Sequence, residues 1–478
     1  MSSSKIFVKT CVPSLDEVIP GFPEGGLVLV TGKPGAGKTI MAMTFIYRGA
    51  LEAGERGVYV SVYESRERFL QLAGRLGMDF EKLEEKGLFS HVWIPVTMEA
   101  GAATSINMIL ERVETVGAKR LVIDSFSALR QQFRDPGEAR IFLQTLFSKI
   151  IERLGCTTLL IKEGEPLTGQ LDFEEYVADA VLHLEKDYFE GRVMRRLEIL
   201  KLRGTDLVFP QLVCTISNGL KVMLSARTLS LVKPTQQVAP ESWVPSDPSG
   251  AYTTGIPDLD REIGGYPHGS TVLIEIDPKL TYPEYIMSFV PTIASFVLKG
   301  RHAIVIPSGG ITPDLVKEIN SYYGVTDQIF RERFHIFYEK DEELAKELNV
   351  HRFEPKDAEA TGRIIAQYAS RLIEKTGSPI IGVMGVDRLV QLAGAEASRQ
   401  LALAQDETRV YRGLMLWIVK PIMPWIVERL APIADMHLKV MREYGCTLLY
   451  GVKPETPLYA VQLRPGKTPP IPDLLRIT

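Results

Sequence analysis

Residues 32–39 read GKPGAGKT, in which Gly32, Gly37, Lys38 and Thr39 have the spacing G-x-x-x-x-G-K-T. The chemistry of that set is phosphate binding. Gly32, Gly35 and Gly37 let the backbone curl until successive N–H groups face one anion. The Lys38 ammonium reaches the β- and γ-phosphates of a nucleoside triphosphate, and the Thr39 hydroxyl ligates Mg2+. The candidate ATP site is therefore Gly32, Lys33, Pro34, Gly35, Ala36, Gly37, Lys38, Thr39 and Ile40. A second stretch, RLVIDSFSAL at 120–129, ends an apolar run on Asp124. A carboxylate there suits the outer coordination of the same Mg2+, so Thr39 and Asp124 form the candidate metal pair.

Holding these groups together requires a sheet with helices on it. GLVLVTG (26–32), GVYVSVYE (57–64), RLVIDS (120–125) and CTTLLIK (156–162) have the short apolar runs of buried strands. The stretches 37–54, 105–117 and 138–154 have helical periodicity. Such alternation predicts an α/β fold, a mostly parallel sheet flanked by helices. The loop then sits between a strand and a helix whose positive dipole end faces the phosphates.

The plan occurs twice. TCVPSLDEVIPGFPEG at 10–25 returns as TGIPDLDREIGGYPHG at 254–269, but the octet that follows has become IDPKLTYP at 276–283. It has no glycine, Tyr282 replaces the lysine, and Pro283 removes a backbone donor where the helix should begin. Asp277 would face the phosphates, at a cost of about 4 kcal/mol for unit charges ~4 Å apart at an effective dielectric of ~20. Gly385 falls near the place of Asp124, with Asp387 displaced. The copies also match at ERLGCTTLLIKEGEP (152–166) and REYGCTLLYGVKPETP (442–457). That match implies an insertion of roughly 45 residues in copy two. It also leaves too little chain for a hairpin after the 447–450 strand. The Pro- and Ser-rich stretch 224–250 has linker composition. The expected domains are 1–223, which binds ATP, and 251–478, which is degenerate. PWIVERLAPIADMHLKVMREYG at 424–445 is a candidate interaction helix. The plainer reading is that Trp417 and Trp425 complete a core.

The lead-in SLDEVIPGFPEGG (14–26), the loop, and LEILKLRGT (197–205) together resemble the KaiC family of RecA-fold ATPases in its tandem two-domain form. The resemblance is strong over 6–222 and weak over 252–478. It implies two tandem RecA-like P-loop NTPase domains, the second degenerate, in a homo-oligomer that forms rings of six. ATP would lie between neighbouring subunits. Lys201 and Arg203, on the K-L-R-G turn, would reach the phosphates of the next subunit in trans. The family follows its second strand with two adjacent carboxylates, the first being the water-activating one. Here VSVYES (60–65) puts Tyr63 in that place and leaves Glu64 as the candidate base, with Glu163 as the alternative. The implied activity is a slow ATPase with a regulatory or scaffold role, and its second domain is free to meet an unknown protein partner.

Composition fits that class. The chain has 478 residues, 45% apolar and 24% charged, with a net charge of −4. This predicts more than one globular domain and no global attraction to polyanions. A recombination mediator of RecA/RadA type that binds DNA is the first alternative, but EGEPLTGQLDFEEY (163–176) is acidic where such a protein needs a basic surface. The second alternative is a nucleotide-gated module without turnover. An autokinase would need a second working site. Cys11, Cys156, Cys214 and Cys446 are scattered and read as reduced thiols. The most apolar stretch, 414–434, is broken by Lys420, Glu428, Arg429 and three prolines. Nucleic acid and membrane are therefore not expected partners, and the expected location is cytoplasmic.

Overall fold

The strand Leu27–Gly32 is buried at all six positions, a pattern that needs cover on both faces of a sheet. The protein's structure, a computed structural model, describes residues 7–95, 102–131, 133, 136–164, 173–223, 238–339, 348–352, 358–420, 424–463 and 469–478. It divides into two compact units, Met1–Leu224 with Arg476–Thr478, and Ser225–Leu475.

The first unit is built on a nine-stranded sheet. From one edge the order is Phe89–Trp93, Gly57–Ser61, Arg120–Asp124, Thr157–Ile161, Leu27–Gly32 and Ala180–Phe189, all parallel. Arg192–Leu202, Gln211–Thr215 and Lys221–Val222 then run antiparallel. The helix Lys38–Glu52 lays Met41, Phe45 and Ile46 against Val28, Val30 and Val122 on one face. On the other face, Ile109 and Val113 of Ala102–Val116 and Phe142 of Pro136–Thr145 cover Val58, Val60, Leu121 and Ile123. The chain leaves Leu27–Gly32 for one side of the sheet and returns later on its other side. This makes the C-terminal edge there a topological switch point, where open α/β sheets bind ligands.

The second unit repeats this arrangement strand for strand. Its ten-stranded sheet runs Val350–Arg352, Phe334–Tyr338, His302–Ile306, Ile380–Gly385, Leu414–Val419, Thr271–Ile276, Met436–Glu443, Cys446–Lys453, Tyr459–Gln462 and Asp473–Arg476. Val350–Arg352 is the added edge strand. The two sheets share even an irregularity. The register shifts between Val181 and Leu182 in one and between His437 and Leu438 in the other. The α/β class and the tandem architecture are therefore as the sequence predicts.

Three expectations for copy two are corrected. The counterpart of Thr157–Ile161 is Leu414–Val419, since Leu27 pairs with Thr158 and Thr271 pairs with Met415. REYGCTLLY instead turns an antiparallel hairpin, so the insertion before this strand is much shorter than the match of short apolar stretches implies. That hairpin is also the one for which the sequence left no room. Lys453 stands opposite His437 as Lys201 stands opposite Val181, and Glu455 follows it where Arg203 follows Lys201. Lastly, 424–445 is no interaction helix. Pro424–Leu430 is a short helix, Met436–Glu443 is an inner strand, and Trp417 is wholly buried in the core with Trp425 packed on it.

Residues 224–237 lie outside the described residues. From 238 the chain packs on the second unit. Trp243 donates to the Tyr323 carbonyl at 3.0 Å, and Asp247 bridges Lys299 and Arg301 at 2.6 Å each. All four cysteines are buried and unpaired. No helix among the described residues is long and apolar enough to cross a membrane.

Candidate nucleotide site

The loop of the first unit is held open by its glycines. Gly32, Gly35 and Gly37 have φ of 145°, 78° and 112°. At Gly32 a Cβ would also collide with the Leu184 carbonyl oxygen, so no other residue fits. Gly32 N–H donates to the Gly164 carbonyl at 3.0 Å, tying the loop to the segment after Thr157–Ile161. From behind, the buried Arg195 donates through Nη1 to the Gly35 and Ala36 carbonyls at 2.7 and 3.0 Å. Lys33, Pro34 and Gly35 are exposed, Ala36 and Lys38 are buried, and Ile40 is half-buried on the first helical turn.

Lys38 Nζ donates to the Gly32 and Lys33 carbonyls at 2.6 and 3.0 Å, which centres its charge over the loop. Burial lowers its pKa, and Glu163 and Asp124 oppose that shift. Thr39 Oγ1 donates to Asp124 Oδ2 at 2.7 Å, so helix start and strand end meet. Both are hard-oxygen donors of the kind Mg2+ takes. The same Oδ2 accepts 2.6 Å from the hydroxyl of Tyr59, a wholly buried residue.

The strand end after Ser61 places Tyr63 and Glu64 differently. Tyr63 turns outward, 54% exposed, while Glu64 is half-buried. Burial raises the Glu64 carboxyl, the neighbouring Asp124 raises it further, and Arg68 opposes. This turn is tied down by Ser61, whose hydroxyl donates to the Glu64 carbonyl and lies 3.0 Å from His91 Nε2. Glu163, the alternative, has an exposed side chain, and its N–H donates to Ser127 Oγ at 2.9 Å.

Lys201 and Arg203 stand apart from this group. Lys201 Nζ donates to the Glu175 and Tyr176 carbonyls at 3.0 and 3.1 Å. Arg203 donates to the Tyr176 carbonyl at 3.1 Å and lies 3.6 Å from Asp179, whose other oxygen accepts from Leu27 N. Leu27 opens the strand that Gly32 closes, so these cations sit at the opposite edge of the sheet from the loop of their own chain. Of 163–176, residues 165–172 lie outside the described residues.

Sequence reasoning missed Tyr59, Arg195, Ser61 and His91. Only Arg195 leaves a trace in the sequence, as a charge at a position of an alternating strand that the flanking residues bury. The KaiC ATPase family pattern matches residues 8–226. A UPF0273 protein of Pyrococcus furiosus is 32% identical over 220 residues, 42% of this chain and 86% of that one. The chain belongs to the KaiC-like family of RecA-fold P-loop ATPases. The circadian clock protein KaiC2 of Synechocystis sp. is 30% identical over 287 residues, 57% of this KaiC-like chain, which spans 48% of KaiC2's length. The crystal structure of a KaiC-like protein from the archaeon Pyrococcus horikoshii OT3 shares 33% identity. It covers 46% of this chain and 99% of that one, with a TM-score of 0.42.

In the second unit the corresponding place is closed by the protein's own carboxylates. Asp277 accepts from Lys279 N at 2.9 Å, so its loop is a tight turn. Thr281 and Glu284 form a reciprocal cap at the start of Tyr282–Ile286. Glu284, 2% exposed, is paired with Arg442. Asp387 is buried and accepts from Gly309 N at 3.0 Å, two residues past Gly385 on the next helix.

Proposed function

We propose that this KaiC-like chain binds ATP·Mg2+ at its N-terminal loop alone, hydrolyses it slowly, and works as a regulatory or scaffold ATPase within a homo-oligomer. The convergence of Lys38, Thr39, Asp124 and Glu64 on one edge of the first sheet carries the reading. The loop N–H groups and Lys38 bind the phosphates, and Thr39 with Asp124 holds Mg2+. The ion supplies charge neutralisation on the phosphoryl oxygens. Glu64 accepts a proton from the attacking water, and its raised pKa makes it a better base than an ordinary carboxylate. Lys201 and Arg203, directed away from their own loop, serve the loop of a neighbouring subunit.

Phosphate release by the purified chain, compared with Lys38→Ala and Glu64→Gln, tests this. Wild type should release phosphate, Lys38→Ala should neither bind nor release, and Glu64→Gln should bind ATP with release reduced by about 10²-fold or more. The exposed Tyr63 favours the second reading, a nucleotide-gated module without turnover. Wild type that binds ATP yet releases no more phosphate than Lys38→Ala would establish that reading and end the first.

A further inference from the structure

The second unit contains a cavity of about 510 Å3. It lies between the helices Ala358–Thr376 and Glu396–Val410 and the sheet, on a floor of Ile304, Ile306, Met384 and Met415. Protein interiors are close-packed, so space on this scale reflects a choice of residues. The choice is visible in the walls. Gly362, Ala366 and Ala369 face it from the first helix and Ala404 from the second.

The first unit shows what the same layer looks like when filled. There, Ala102–Val116 precedes Arg120–Asp124 as Ala358–Thr376 precedes Ile380–Gly385, and Pro136–Thr145 takes the place of Glu396–Val410. Phe142 packs in that layer against the tilted rings of Phe126 and Phe133, with centroids 6.0 and 5.4 Å away, and against Leu121 and Ile123. The second unit keeps the helices and holds Phe337 and Trp417 in that layer, but among the described residues no phenylalanine or tryptophan lines the cavity.

Two further features define an occupant. The walls are mostly apolar, and the charged residues among them, Arg363 on the first helix and Glu396, Arg399, Asp406 and Glu407 on the second, leave the strand floor uncharged. Gln400 lines the cavity, and its Nε2 is buried without a hydrogen-bond partner among the described residues. A buried donor in that state calls for an acceptor. Leu403 lines the same cavity and is 59% exposed, which places an apolar lip at its opening.

We propose that this cavity binds a neutral, largely hydrocarbon small molecule bearing one acceptor oxygen, which Gln400 engages. Its volume lies within the range of small-molecule sites. The cavity lies in the second unit and the nucleotide loop in the first.

The test uses the full chain and the neutral fluorescent ketone 6-propionyl-2-dimethylaminonaphthalene. Wild type should bind it saturably, one per chain, with a blue-shifted emission. Ala366→Phe and Ala404→Phe, which fill the cavity from opposite walls, should each weaken binding at least tenfold. Retained ATP binding and circular dichroism would show these variants folded. Gln400→Leu should weaken the ketone about tenfold, the effect of one buried hydrogen bond. It should leave 2-dimethylaminonaphthalene, which lacks the carbonyl, unaffected. Absence of saturable binding, or binding that a folded filling variant leaves unchanged, would overturn the proposal. Equal losses for the two probes in Gln400→Leu would overturn the role of the amide.

Discussion

A mixing experiment tests whether Lys201 and Arg203 act on a neighbouring subunit. The register sets the geometry. Lys201 pairs with Val181, next to the Ala180 that pairs with Val28, whereas Gly32 pairs with Leu184. Three residues of strand separate the levels of Lys201 and Gly32, about 10 Å at ~3.3 Å per residue, and the phosphates lie beyond Gly32. Both cations also bond to carbonyls at the far edge, away from their own loop. Arg203→Ala should lose at least about tenfold in phosphate release, a modest share of what an arginine finger supplies elsewhere. Lys38→Ala should be inactive. Dissociated together at equal concentration and reassembled, they should recover activity. At random assembly half the loops and half the fingers are intact, so about a quarter of interfaces combine the two. Release near a quarter of the wild-type rate is the expected outcome. A mixture no faster than the mean of its components, or Arg203→Ala at the wild-type rate, would refute the argument.

Two other perturbations read separate parts of the molecule. Tyr59→Phe removes one hydroxyl and keeps the ring, which packs 4.7 Å from Phe69. A hydrogen bond to a charged group contributes about 1.5–3 kcal/mol, so Mg2+-dependent kcat/KM should fall roughly 10- to 100-fold. An unchanged Mg2+ titration would mean that Tyr59 only fills space. In the second unit, burial first and then His302, His351 and Lys375 push the pKa of His335 down to about 3. Asn349 donates to its Nδ1 at 2.9 Å, the Tyr368 hydroxyl lies 2.8 Å from the same nitrogen, and its Nε2 lies 3.1 Å from His302. The unfolded chain takes up that proton first, near pH 6.5, so stability is complete above that pH and is lost as pH falls toward 3. The loss should approach about 2 kcal/mol by pH 5. Urea unfolding followed by tryptophan fluorescence at pH 7 and 5 measures it. His335→Phe should be less stable at pH 7 but lose less on acidification, and equal losses would exclude His335 as the source.

The first site was legible because its chemistry is contiguous. Glycines, lysine and threonine occupy neighbouring positions, and Asp124 ends an apolar run whose length identifies it as a strand. Tyr59 was not legible and Arg195 left only a charge in an alternating strand, because only the sheet brings a strand residue 65 positions away beside Asp124, or Arg195 beneath Gly35. The false repeat had a different cause. ERLGCTTLL and REYGCTLLY share letters because a glycine turn before a buried strand draws on few residue types, and their pairing partners differ.

The closed loop of the second unit satisfies its own helix start. A phosphate loop leaves helix N–H groups pointing at an anion that must come from outside. In the second unit the side chain of Glu284 supplies that negative charge, bonds to Thr281 N at 2.6 Å, and is neutralised by Arg442 from the Met436–Glu443 strand. The helix start is thereby satisfied from within, and Asp277 does the same for the turn before it. Restoring glycines and a lysine at 276–283 would therefore not restore binding while Glu284 remains, because phosphate and carboxylate would compete for one positive helix end. In the second unit a glycine-free loop and an internal carboxylate at the helix start occur together, where the first unit has an open glycine loop.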